Sequence, residues 1–142
     1  ADEILYKDMI PYVLEQVRQQ GVIRLKLRQF FYKTTYLWKG KDFVSPIAAY
    51  YGAINPKFPN NWRDAGNITQ EYVGCHFSWC MDVEAMIHKL DTYSHPRYRF
   101  CANRELLENA IANKEYPFDN NVNFDIQELR SDDELIPRSL RG

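Results

Sequence analysis

The sequence has no long hydrophobic run, no excess of either charge and few cysteines. No apolar stretch among its 142 residues approaches the ~20 residues of a membrane-spanning helix, so these residues contain no such helix. Lys and Arg number 18 against 19 for Asp and Glu, which argues against a dedicated nucleic-acid-binding protein, since such proteins are usually strongly basic. Internal repeats are also missing, which excludes a solenoid architecture.

The three cysteines do not define a site. Cys75, Cys80 and Cys101 match no zinc-binding spacing. Their odd number is compatible with a reduced protein or with one disulfide and a free thiol. The Asn-Ile-Thr triplet at residues 67–69 is an N-glycosylation sequon, which has meaning only in a secretory protein. Neither the cysteines nor the sequon decides whether the protein folds in a reducing or in an oxidising compartment.

Aromatic side chains are abundant, at 15% of the residues, and apolar residues reach 45%. A chain of this length and composition can bury a core, so we expect a folded domain rather than a disordered segment. Aromatic rings are also typical of carbohydrate sites, because ring faces pack on sugar C–H groups while polar tips bond to hydroxyls. Composition alone does not decide whether the rings form a buried core or a carbohydrate site.

The first half of the chain shows a helical pattern followed by an alternating one. Apolar residues at helical spacing predict a helix within residues 4–20, with Asp8 as its N-cap and Gly21 as its end. Strict alternation then predicts one strand over residues 22–30, with three basic residues, among them Arg28, on one face. Mixed patterns of this kind predict an α/β fold.

Further elements are expected downstream. They are a turn at residues 39–42, a return strand over 43–51, a strand over 72–79, and helices over 82–90 and 103–114. The pattern fades after Pro117, so we expect the first domain to end near residue 120 and residues 121–142 to form a polar C-terminal extension.

Three groups of residues could carry chemistry. Asp2 and Glu3 form an acidic pair next to a helix, and carboxylate oxygens hold hard divalent cations that also bind substrate phosphates. The basic and aromatic residues of segment 24–38 could clamp a phosphate or stack on a sugar, or form a solvated strand face over an aromatic core. They also suit single-stranded nucleic acid, which the balanced charge disfavours. In Gly-Cys-His-Phe-Ser-Trp-Cys at residues 74–80, His76 could ligate a metal or act as a base.

Three motifs, in this order, resemble those of glycosyltransferase family 17. Residues 1–4, Ala-Asp-Glu-Ile, resemble the end of an Asp-x-Asp-Glu-Ile motif. Residues 27–32, Leu-Arg-x-x-Phe-Tyr, with Trp38 following, are similar to the family's next strand. Residues 76–80, His-x-Ser-Trp-Cys, followed by Asp82 and a helix, are similar to its His-Cys-Ser-Trp-Cys segment.

The resemblance implies an inverting enzyme of the GT-A-like α/β fold. Its donor would be UDP-N-acetylglucosamine, its acceptor the β-linked mannose of an N-glycan core, and its cofactor a divalent metal, with Mn²⁺ expected. The family acts on the lumenal side of the Golgi membrane, which implies an upstream anchor. Its nucleotide-binding strands precede the acidic motif. Residues 1–120 would therefore be the C-terminal portion of a catalytic domain, an incomplete fold that we expect to be inactive alone.

The resemblance also implies roles for individual residues. Asp2 corresponds to the second acid of the metal motif, and Glu3 supports it. The base that takes the acceptor's proton is sought among His76, Asp82 and Glu84. Contacts to donor or acceptor are expected from Asp8, Arg28, Tyr32, Trp38 and Trp79.

The chain departs from the family at one cysteine. Phe77 stands where the family has Cys, and Cys75 is displaced from that position, so the motif's own disulfide is in doubt. A bridge between Cys80 and Cys101 stays open. The alternative to an enzyme is a non-catalytic carbohydrate-binding or interaction fragment that keeps the aromatic hairpin.

Overall fold

The computed structural model describes residues 2–53, 64–92, 96–119 and 121–142. Within these ranges the chain forms eight strands and three α-helices. The strands are β1 (Glu3–Leu5), β2 (Val22–Arg24), β3 (Leu27–Phe31), β4 (Tyr36–Phe43), β5 (Ile47–Ala49), β6 (Asn67–Ile68), β7 (Gly74–Ser78) and β8 (Asp125–Glu128). The helices are α1 (Ile10–Gln20), α2 (Val83–Thr92) and α3 (Arg104–Asn113), with short 3₁₀ turns at Lys7–Met9, Pro96–Cys101 and Arg138–Leu140.

The described strands form two mixed sheets. The large sheet has the order β1-β7-β3-β4-β8, in which β7 and β3 are parallel and the other neighbours are antiparallel. The small sheet has the order β5-β2-β6, with one antiparallel and one parallel pair. The α/β class predicted from the sequence is confirmed.

The first helix begins later than its pattern predicts. Residues Glu3–Leu5 pair with β7, so they are strand rather than helix. Met9, not Asp8, is the N-cap residue, and Asp8 lies in the preceding 3₁₀ turn. The predicted end is confirmed, since Gly21 has φ +79° and donates its N–H to the Val17 carbonyl.

The single strand predicted over residues 22–30 is wrong, because the chain passes from the small sheet to the large one within it. Leu25 N–H donates to the Pro46 carbonyl, and Lys26 N–H donates to Thr69 Oγ1. These bonds replace a regular ladder between β2 and β3. The alternation itself is confirmed, since Ile23, Leu25 and Leu27 are buried.

The turn predicted at residues 39–42 is also wrong, because those residues lie inside β4. The register between β3 and β4 shifts in this region, and Gly40 adopts φ +73°. The glycine therefore allows an irregular backbone conformation within the strand rather than a turn between strands. The chain reverses at residues 32–35 instead, and the predicted return strand is reduced to β5, which pairs with β2.

The residues after Pro117 are more regular than their fading sequence pattern predicts. β8 adds an antiparallel edge strand beside β4. Leu129 and Ile136 are buried with Phe30 and Phe77. The sequence signal was weak because β8 contains one apolar residue and its partner lies about ninety positions earlier in the chain.

The helices cover one part of the large sheet. Met86 and Leu90 of α2 and Leu107 of α3 pack against Phe31 and Trp38 of the sheet. Both predicted helix starts are confirmed: Asp82 Oδ1 accepts the Ala85 N–H at 2.7 Å, and Asn103 Oδ1 accepts the Leu106 N–H at 3.0 Å.

Candidate metal site at the edge of the large sheet

The acidic N-terminal pair and the motif histidine lie together. Asp2, Glu3 and His76 each offer one ligand atom, and these atoms lie within 4.8 Å of one another. Their proximity follows from strand pairing, since Glu3 is the direct cross-strand neighbour of His76. The Phe77 N–H also donates to the Asp2 carbonyl at 2.6 Å, which holds the main chain at Asp2 against β7. We call these three residues the acidic-histidine cluster.

The imidazole of His76 is held firmly. Its exposed fraction is 8%, and its ring stacks on Phe43 with centroids 3.7 Å apart and planes 9° apart. Nε2 lies 2.9 Å from Ser78 Oγ. Nδ1 lies 3.7 Å from Glu3 Oε1, and it has no hydrogen-bond partner among the described residues. A buried nitrogen without such a partner, beside two carboxylates, is the donor arrangement that a bound cation would use.

Burial favours the neutral form of this imidazole. Burial lowers the pKa of His76 below its ordinary value, and nearby Lys89 lowers it further, while the Asp2 carboxylate opposes both. A lower pKa means that the ring is neutral over a wider pH range, as a metal-ligating imidazole must be.

Two neighbouring polar side chains offer an arrangement in which Nε2 carries the proton of the His76 ring. Gln29 Nε2 donates to Ser78 Oγ at 3.3 Å, and His76 Nε2 lies within hydrogen-bond distance of the same oxygen. When Ser78 Oγ accepts from both, the His76 proton sits on Nε2 and the Nδ1 lone pair faces the carboxylates. Gln29 was not predicted from the sequence as a site residue. The only signal was its place in β3, which becomes meaningful once the register pairs Gln29 with His76.

The two acidic residues predicted as bases lie outside this cluster. The Asp82 carboxylate accepts a hydrogen bond from the first turn of α2, where it acts as a cap. Glu84 forms an exposed ion pair with Arg104 of α3. Among the described residues, the only group with the geometry of a metal site consists of Asp2, Glu3 and His76.

Two of the predicted sugar contacts are core residues. Tyr32 and Trp38 are 4% and 5% exposed, and both belong to the aromatic cluster under α2 and α3. The Tyr32 hydroxyl donates to the Glu115 carbonyl at 2.9 Å, and Trp38 Nε1–H donates to the Asn123 carbonyl at 3.1 Å. The expectation that these rings stack on a sugar does not fit, because their faces are already covered.

Trp79 is placed differently. It is partly buried at the edge of the same cluster, with the Lys89 ammonium 4.4 Å from its ring centroid and Phe118 at 5.1 Å. Its backbone has φ +57°, which directs the chain from β7 towards α2. Trp79 therefore retains a partly exposed ring, unlike Tyr32 and Trp38.

Arg28 and Asp8 lie away from the acidic-histidine cluster. Arg28 pairs in register with Cys75, whereas Gln29 pairs with His76. Successive residues of a strand point to opposite faces, so Arg28 and His76 lie on opposite faces of the large sheet. Arg28 and Asp8 instead line a cavity of about 640 Å³ on that other face.

All three cysteines are free, so the bridge left open between Cys80 and Cys101 is not formed. Cys101 Sγ contacts the Pro117 carbonyl at 3.1 Å inside the aromatic cluster. Cys80 packs in a different cluster, with Cys75 and Phe77. Burial raises the pKa of Cys80 to about 12 and that of Cys75 to about 11, so neither is a reactive thiolate near neutral pH.

No protein-family model, curated protein or solved structure matches this chain. The family resemblance therefore rests on the order and spacing of the motifs. In the part of the chain that the structure describes, each helix is too short or too polar to span a bilayer.

Proposed function

We propose that this chain is the metal-binding part of an inverting glycosyltransferase with a GT-A-like fold. The full-length protein would transfer N-acetylglucosamine from UDP-N-acetylglucosamine to a β-linked mannose of an N-glycan core, on the lumenal side of the Golgi membrane. The observation that carries the proposal is the grouping of Asp2, Glu3 and His76 within 4.8 Å. Two separate motifs of the resemblance, more than seventy residues apart, contribute these side chains.

The residues of the acidic-histidine cluster fit a divalent cation. Carboxylate oxygens and a neutral imidazole nitrogen form a donor set that suits Mn²⁺. The unpartnered Nδ1 of His76 is the specific feature that such an ion would satisfy. When bound, the ion would supply charge neutralisation for the departing diphosphate.

The chain's own residues would prepare this site before the substrates arrive. Asp2 and Glu3 place negative charge at the open edge of the sheet, where both are exposed. Phe43 covers one face of the His76 ring and excludes water from it. Trp79 is the remaining predicted sugar contact with a partly exposed ring. The proposal assigns no base, because Asp82 and Glu84 both lie outside the cluster.

The test is the replacement of Asp2 by alanine in the full-length parent protein. We expect Mn²⁺-dependent transfer from UDP-N-acetylglucosamine to fall by about 100-fold or more, because a ligand carboxylate of the metal is lost. Asp91→Ala on the exposed side of α2 is the matched control and should leave transfer unchanged. Retention of metal-dependent transfer by the Asp2 variant would remove the metal assignment.

The alternative, a non-catalytic carbohydrate-binding fragment, gains no support from the aromatic hairpin. Tyr32 and Trp38, the rings that it would use, are buried. Binding of an N-glycan core by this chain without any dependence on Mn²⁺ or on Asp2 would favour that alternative over the transferase.

The hydrogen-bonded pair behind His76 gives a second prediction. Ser78→Ala should weaken Mn²⁺ binding by about tenfold, because the imidazole loses the hydrogen-bond partner that orients it at Nε2. Isothermal titration of this chain with MnCl₂ measures the effect, and Ser139→Ala, at an exposed position, is the control. Unchanged Mn²⁺ affinity in the Ser78 variant would contradict a role for this bond in orienting His76.

A further inference from the structure

A cavity of about 640 Å³ opens on the face of the large sheet opposite to His76. Its walls come from two segments that are far apart in the sequence. Residues 4–9 form one part of the lining and residues within 134–141 form another, and Arg28 and Tyr72 complete it. Neither Asp2 nor His76 lines this cavity, so its chemistry is separate from that of the acidic-histidine cluster.

Arg28 is the lining cation whose guanidinium is held against an aromatic ring. Its guanidinium carbon lies 4.0 Å from the centroid of the Tyr72 ring, and the Tyr72 hydroxyl is itself anchored to Asp42 at 2.7 Å. Among the described residues, no carboxylate forms an ion pair with Arg28, and its Nε has no hydrogen-bond partner. The charge is therefore held in a fixed position without a counter-charge in direct contact.

The charged side chains that line the cavity are mostly positive. Lys7, Arg138 and Arg141 also line the cavity, against the carboxylates of Asp8 and Glu134. Arg141 is immobilised, because its Nε donates to the Ile136 carbonyl at 2.8 Å and one Nη donates to the Glu134 carbonyl at 2.9 Å. Four cations against two carboxylates favour an anion in a recess where field lines converge.

The remaining walls suit the body of a small organic molecule. Apolar and aromatic surface is supplied by Leu5, Tyr6, Met9, Leu135 and Pro137. The Tyr6 ring is held in place by its hydroxyl, which donates to the Leu135 carbonyl at 2.7 Å. The volume is in the range of small-molecule sites, and is larger than a bare phosphate ion requires.

We propose that this cavity binds a sugar-sized ligand through a phosphate or carboxylate group that Arg28 holds. A planar guanidinium pairs with two oxygens of such a group at once, which an ammonium does not do. The site needs no metal and does not rest on the proposed transferase activity. A sugar phosphate and an acidic sugar share the recognised chemistry, and the experiment separates them.

The experiment titrates this chain, with EDTA present, with glucose 1-phosphate, with glucuronate and with uncharged glucose, by NMR or calorimetry. We expect at least one of the two anionic sugars to bind and glucose not to bind. Arg28→Gln should weaken binding of the anion by about tenfold or more, because a charge-assisted bidentate contact is lost. Arg24→Gln is the matched control, because Arg24 is a partly exposed arginine of β2 outside the cavity lining, and it should bind normally.

A second variant keeps the proposal testable if Arg28→Gln does not fold. Arg138→Gln removes an exposed charge of the cavity and should weaken binding by about threefold without unfolding the chain. Binding of glucose 1-phosphate alone identifies a phosphate site, and binding of glucuronate alone identifies a carboxylate site. Absence of binding by both anions, or equal affinity in the wild type and both variants, overturns the proposal. Because EDTA is present, neither result depends on the acidic-histidine cluster.

Discussion

Gly74→Ala is expected to lower the free energy of unfolding by about 3 kcal/mol, because β1 leaves no room for a side chain at this position. A Cβ at Gly74 would overlap the Ile4 carbonyl oxygen and would lie 2.9 Å from Leu5 Cα. Both are backbone atoms of a paired strand, so they cannot rotate away as a side chain could. Relief of the overlap requires β1 to move away from β7.

The same movement should affect the metal site. Glu3 belongs to β1 and His76 to β7, and their distance depends on the register that Leu5 and Gly74 share. We therefore expect Gly74→Ala to lose Mn²⁺ affinity along with stability. Urea denaturation measures the first effect, and calorimetric titration with MnCl₂ at a temperature where the variant is folded measures the second.

The matched control is Gly40→Ala. Gly40 has φ +73°, so alanine there is strained, but a Cβ would meet no atom within 4 Å. We expect a cost of about 1 kcal/mol for the conformation alone and no change in Mn²⁺ affinity. Equal losses of stability in the two variants would show that backbone conformation, rather than the close approach of β1, explains the Gly74 effect.

Local signals in the sequence predicted α2 and α3 accurately. Asp82 and Asn103 are cap residues whose carbonyl-type oxygens satisfy N–H groups of the first helical turn. These contacts span three residues and can be recognised in any sequence. The alternation of buried and half-exposed residues in segment 22–28 was likewise local and was predicted correctly.

Long-range pairing explains most of the errors. The chain leaves one sheet for the other between β2 and β3 because Lys26 bonds to Thr69, which lies more than forty residues away. β8 is a strand because β4 offers it an edge, although its own sequence has little apolar alternation. Propensity and periodicity contain no information about such partners.

The candidate site depends both on local motifs and on long-range strand pairing. Asp2, Glu3 and His76 were predicted separately, from motifs of the family resemblance. Their proximity depends on the β1–β7 register. The register between β3 and β7 places Arg28 on the opposite face, although the resemblance implied that Arg28 contacts the donor or acceptor of the same site. Only the parity of the strand positions, which requires the pairing partner, distinguishes these outcomes.

The burial of Trp38 leads to the last prediction. Trp38→Ala should lower the free energy of unfolding by about 3–5 kcal/mol, as expected for the removal of a large buried ring. Trp38 contacts three further rings, with centroids at 4.8 Å to Phe124, 5.5 Å to Tyr116 and 5.6 Å to Phe31. The cavity should not close fully, because β4 is held between β3 and β8 by the hydrogen bonds of the sheet.

Two further variants separate packing from hydrogen bonding and from sugar contact. Trp38→Phe keeps a ring in the cluster but loses the bond from Nε1 to the Asn123 carbonyl, so it should cost about 1–3 kcal/mol. Tyr51→Ala, at a fully exposed aromatic position, should leave stability within about 0.5 kcal/mol of the wild type. Chemical denaturation of the three variants, monitored by far-ultraviolet circular dichroism rather than by tryptophan fluorescence, compares their free energies of unfolding. If Trp38→Ala kept its stability and instead lost binding of an N-glycan core, Trp38 would be a sugar contact and its assignment to the core would be wrong.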